Sequence, residues 1–124
     1  MTTEAWPSEI RLVEGGRALV VAFEDGTSHR FTAEHLRVRS PSAEVQGHSA
    51  ADRRTLGGKR NVLILDAAPV GNYAVRLDFD DGHDSGLFTW RFFHALGPRL
   101  AEDFAAYERE LAEKGLDRDR PGEA

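Results

Sequence analysis

Within residues 78–90, DFDDGHDSGLFTW, four aspartates and one histidine surround two glycines. Carboxylates and imidazole at this density suggest three kinds of chemistry: a calcium loop, a non-haem iron site or general base catalysis. A calcium loop needs oxygen ligands at its first, third and fifth positions, glycine at the sixth and glutamate at the twelfth. Counting from Asp78 puts Gly82 fifth and His83 sixth, so the spacing fails. None of His29, His35, His48, His83 and His94 opens the His-x-Asp or His-x-Glu pattern of an iron site. Adjacent His83 and Asp84 are candidates to orient one another as a general base, but no nucleophile motif, phosphate loop or dinucleotide fingerprint accompanies them. A turn accounts for the same residues: glycine supplies a positive φ, and aspartate hydrogen-bonds its own backbone. No catalytic or cofactor-binding residue is assigned on these grounds.

The elements around this stretch follow from periodicity. Ile10 and Leu12, then Leu19, Val21 and Phe23, alternate on either side of Glu14, Gly15 and Gly16, which predicts a hairpin. The turn EDGT, residues 24–27, leads to a third strand bearing His29 and Phe31, and Thr32 is placed to cap a short helix. Residues 38–59 lose apolar periodicity and read as a long loop. NVLIL, residues 61–65, suits a strand buried on both faces, and Pro69 with Gly71 predicts a turn. Beyond it, Tyr73, Val75, Leu77 and Phe79 alternate with Ala74, Arg76 and Asp78, so Asp78 and Asp80 are expected on a solvated face. Thr89 caps a helix closed by Gly97, and Leu100, Phe104, Tyr107 and Leu111 form the stripe of an amphipathic helix packed on the sheet and stopped by Gly115. Residues 22–36 and 78–93 share phenylalanine, an acidic residue, Asp-Gly, Phe-Thr and a short helix, with one residue added in the second copy. Asp25 and Asp81 therefore have the same structural reason to exist.

Composition narrows the partners. With 124 residues there is room for one core, and 40% apolar content argues against wholesale disorder. A net charge of −5 repels a phosphate backbone, and the one basic cluster, Arg53, Arg54, Lys59 and Arg60, has no interleaved aromatic residue for base stacking. The absence of cysteine excludes disulfides, thiolate zinc sites and cysteine nucleophiles within the chain. The start lacks a signal-peptide pattern and the longest apolar run, residues 18–23, is too short to span a bilayer, so a cytoplasmic location is expected.

At LRVRSPSAEVQGH, residues 36–48, and PVGNYAVRLDFDDGHDSGLFTW, residues 69–90, the chain resembles the gamma-butyrobetaine-hydroxylase-like N-terminal domain, a family of unknown function. The resemblance spans roughly residues 7–96 and rests on the ordered string VGNYA…F.DGH.SG…W. Members stand alone in bacteria, precede carnitine-pathway dioxygenases or are attached to P-loop iron–sulfur carriers. In the zinc-binding branch the segment matching residues 40–45 reads Cys-x-Cys-x-x-Cys, and the histidine of the DGH string completes the site. The resemblance places Ser40, Ser42, Val45 and His83 at those positions, which implies a degenerate site and no bound metal. It implies His83 hydrogen-bonded instead into the loop of residues 40–48. Dioxygenase activity does not carry over, because the iron and 2-oxoglutarate ligands lie in a separate catalytic domain.

The expected fold is α+β: a mostly antiparallel sheet of about five or six strands, covered by a short helix and an amphipathic last helix, as one domain over residues 1–116 with a flexible tail at 117–124. The expected function is a non-catalytic accessory or protein-interaction domain, with no cofactor, no nucleic acid and no membrane. Its expected contact residues are Arg39, His48, Asp81, His83 and Asp84, on residues 38–59 and the His83 loop. The alternative is a metal-binding accessory domain, in which His48 and His83 meet and Asp81 or Asp84 adds an oxygen.

Overall fold

Alternating apolar residues build two antiparallel meanders, seen in a computed structural model that describes residues 6–42, 45 and 53–124. In the first, β1 (Pro7–Val13), β2 (Ala18–Phe23) and β3 (Ser28–Thr32) lie in that order and lead into α1 (Ala33–Val38). In the second, β5 (Ile64–Val70), β6 (Ala74–Phe79) and β7 (Leu87–Thr89) lead into α2 (Trp90–Leu96). Between them, β4 (Leu56–Gly57) pairs with β8 (Gly122–Glu123). A 3-10 turn at Gly97–Arg99 joins α2 to α3 (Leu100–Glu113). The fold is α+β, with its strands divided among three small sheets.

The repeat goes deeper than the sequence shows. Both meanders have an irregular register at the same point of their first strand, opposite Phe23 in one and Phe79 in the other. Leu19 faces Phe31 as Val75 faces Phe88, and Ala18 faces Thr32 as Ala74 faces Thr89. Each turn closes alike: the Phe23 amide donates to Thr27 O at 2.8 Å and the Phe79 amide to His83 O at 2.9 Å, with Gly26 and Gly82 both at φ 90°. Thr32 Oγ1 accepts the His35 amide and Thr89 Oγ1 accepts the Phe92 amide, capping both helices.

The copies are joined by reciprocal contacts. Asp25 in the first turn meets His94 of α2 at 2.8 Å, and Asp81 in the second turn meets Arg37 of α1 at 2.7 Å. His94 and Arg37 stand at the same step beyond their capping threonines, so each copy's turn holds the other's helix. This is the relation of i to j and j to i that a two-fold produces. Leu19, Val21 and Phe31 share one core with Leu77, Phe88 and Phe93, which the two copies build jointly.

Several expectations change. The strand of the NVLIL segment begins only at Ile64; Val62 is buried ahead of it, but Leu65 is 64% exposed. Pro69 lies within β5 rather than in a turn, which an edge strand tolerates because a proline has no N–H to offer a ladder. Tyr73 precedes β6 and is exposed, while Ala74 is buried. Asp78 shares the outer face with exposed Arg76 and Asp80, as the alternation predicts, but is itself half-buried, with Arg76 Nε at 3.4 Å. Helix α3 sets Tyr107 and Leu111 in a second cluster with Val38, Val45 and, from the small β4–β8 sheet, Leu56, while Leu100 packs against the core of the meanders. Residues 117–124, expected to be loose, lie along residues 55–60 through backbone bonds from Thr55, Gly58 and Arg60.

Candidate functional site

The extra residue of the second copy falls between His83 and Leu87, where the chain leaves the β6–β7 turn as irregular backbone. That detour brings it against residues 40–42, which follow α1. Ser40 Oγ and His83 Nε2 are hydrogen-bonded at 3.0 Å, the Ser42 amide donates to Ser40 Oγ at 3.3 Å, and the Ser42 and Ser85 hydroxyls are 2.8 Å apart. Ser40 is fully buried and His83 is 4% exposed. Glycine at 86 is required, since a Cβ there would lie 2.5 Å from Ser40 Oγ. The result is a polar staple between the exit of α1 and the DGH turn.

Three of the four positions carried over from the family resemblance meet here: Ser40, Ser42 and His83. The fourth, Val45, is 1% exposed and packs in the second core, where an aliphatic side chain has no lone pair to offer. Neutral hydroxyls engaged with one another and a valine do not make the thiolate set that zinc takes, so the residues present do not fit the metal. Among the described residues no group of three or more metal-capable side chains occurs. His48 lies outside the described residues. Ser40 and His83 stand at the distance of a nucleophile and its base, but a carbonyl cannot reach a hydroxyl that is buried and walled by Gly86.

Asp81 anchors the turn from below. Its Oδ1 accepts the His83 amide at 3.1 Å, while Oδ2 accepts Arg37 Nε at 2.7 Å and Lys59 Nζ at 2.5 Å. Burial works to raise its pKa, but the bonds from Lys59, the His83 amide and Arg37 outweigh it and hold the carboxyl at about 2. Asp84 is exposed and no hydrogen bond joins it to His83, so the suggested base pair does not form. Arg39 is turned inward: its Nε donates to Asp103 at 2.9 Å, and both terminal nitrogens fork onto Glu110 at 3.1 and 3.0 Å. His35, 3% exposed, shares Asp103 at 2.7 Å, so one network ties α1 to α3. In the basic cluster, Arg53, Lys59 and Arg60 pair with Glu110, Asp81 and Asp119. Sequence reasoning missed Asp103 and Glu110; their spacing of seven on α3 puts both on one helix face and is the only signal for them.

A family model described as gamma-butyrobetaine hydroxylase-like, N-terminal, matches residues 10–94. That span takes in both copies of the repeat and stops at His94. Two NMR solution structures are similar: one is 45% identical, with a TM-score of 0.79 over 92% of this chain and 90% of its own. The other is 36% identical, with a TM-score of 0.78 over 95% and 90%. A crystal structure of a protein of unknown function in the DUF971 family, from Acidithiobacillus ferrooxidans ATCC 23270, is 39% identical, with a TM-score of 0.61 over 75% of this chain and 93% of its own. No curated protein matches.

Proposed function

The chain belongs to the gamma-butyrobetaine hydroxylase-like N-terminal family, and from that footing we propose that it acts as a non-catalytic protein-interaction domain whose contact face is the rim of the His83 turn. The observation that carries this reading is the division between a bonded floor and an exposed rim. Ser40, Ser42 and His83 are buried and tied to one another, whereas Pro41, Asp84 and Ser85 are exposed and Leu87 is 40% exposed. A rigid backing under a small mixed polar and apolar rim is the arrangement that lets a surface present side chains at low entropic cost. Asp80 and Asp84 make the rim acidic, so a partner surface bearing cations fits it.

The test is cross-linking capture with an Asp84→Arg, Leu87→Ser variant, which changes the rim and leaves the staple intact. The variant is expected to lose the partner captured by the native chain while keeping its melting temperature. Undiminished capture of every partner by the folded variant refutes the assignment.

A further inference from the structure

Residues 117–124 lie on the molecule as a peptide ligand lies on its receptor, bent at 117–120, where Asp117 Oδ1 accepts the Asp119 and Arg120 amides at 2.8 Å, and paired as a strand at Gly122–Glu123. Thr55 and Ala124 exchange both backbone bonds, at 2.7 and 3.0 Å, and Leu56 and Gly57 pair with Glu123 and Gly122. The Gly58 amide donates to Asp117 O at 2.9 Å and the Arg60 amide to Arg118 O at 3.1 Å. Close approach is possible because two glycines line the trench. A Cβ on Gly57 would lie 2.6 Å from Asp117 O, and one on Gly58, at φ +72°, would lie 2.7 Å from the Pro121 backbone. Residues 117–124 add nothing to either apolar core.

Two side-chain anchors fix the register. Arg118 forks onto Glu34 at 2.7 and 2.6 Å and lies over the Phe104 ring at 5.0 Å, while Arg60 forks onto Asp119 at 2.5 and 3.1 Å. The Glu34 side chain is only 6% exposed, so without Arg118 it is a buried carboxylate lacking its charge partner. The trench therefore demands a guanidinium at one point and a carboxylate at the next residue. Main-chain pairing for affinity, with a few side-chain pockets for specificity, is the chemistry of strand addition.

We propose that the trench formed by residues 55–60 and Glu34 is a docking site for a segment that carries arginine followed by an acidic residue on a bend leading into a short strand, and that the chain's own 117–124 occupies it as a displaceable strap. The proposal does not rest on the rim reading above, since it is argued from different residues.

Titration of a peptide of residues 116–124 into the isotope-labelled full chain tests it by amide shifts. In an Arg118→Ala chain, whose strap is weakened, the peptide is expected to shift the amides of Thr55, Gly58 and Arg60. The native chain should need about tenfold more peptide, because its strap competes. A peptide with alanine at the position of Arg118 should shift neither. Failure of the folded variant to respond, or equal binding of the arginine-free peptide, overturns the proposal. A second measurement needs no variant: in the native chain the Gly58 and Arg60 amides should exchange with solvent by local opening, faster than those of β6. Exchange of these amides only by global unfolding overturns it as well.

Discussion

Asp81 carries three bonds on two oxygens, and each ties a different segment: its own turn, α1 and the loop at Lys59. Its pKa is held near 2 against an ordinary 3.8. A depressed carboxylate contributes stability that is fully present above the unfolded value and is lost as pH falls through the folded one, which, discounted for solvent screening at a residue this exposed, corresponds here to about 1 kcal/mol, lost between about pH 4 and pH 2. Asp81→Asn keeps the acceptor for the His83 amide and removes the charge. It should lower stability at neutral pH by about that amount and flatten acid unfolding over the same interval, as followed by thermal melts. Two residues on, at His83, the staple leads to a second expectation. Because Ser40, Ser42 and Val45 offer no thiolate, the purified protein should carry no stoichiometric zinc or iron, and chelator should leave its melting temperature unchanged. Elemental analysis finding about one metal per chain, lost on His83→Ala, would reverse that conclusion.

At the scale of elements, the strands, turns and caps were the most legible parts. Asp-Gly at a tight turn and threonine before a helix act through bonds two or three residues away, so local sequence suffices to specify them. Gly97 was legible in position but not in reason. It closes no left-handed cap, since its φ and ψ are both −48°; it is glycine because a Cβ would lie 2.2 Å from the His29 ring. In helical backbone Gly→Ala alone should stabilise by about 0.5–1 kcal/mol, whereas forcing a methyl group into packed atoms costs about 1–3 kcal/mol. The clash wins: Gly97→Ala should destabilise by about 1–2 kcal/mol in urea melts, and His29→Ala in the same chain should restore most of the loss. At the equivalent joint of the other copy the sizes are exchanged, with Ser40 after the helix and glycine at 86. The clamp from Arg39 to Asp103 and Glu110, and that from Arg118 to Glu34, were not legible, because each joins residues far apart in the chain and surface charge patterns do not name their partners.

For the whole molecule, the repeat was legible as a motif and illegible as an architecture. Matching residues disclosed two similar turns and helices; nothing local indicated that each turn would hold the other copy's helix, or that Phe31 would meet Phe93 at 5.1 Å in a core neither copy owns. That crossed arrangement governs how the chain must be made. As it emerges from a ribosome, the first copy carries Asp25 with no His94 and Arg37 with no Asp81, and its apolar face has nothing to close over it. Contacts so distant in sequence cost loop-closure entropy before they return any stabilisation. The nascent first meander is therefore an unfinished half, with its phenylalanines open to solvent for as long as α2 remains untranslated.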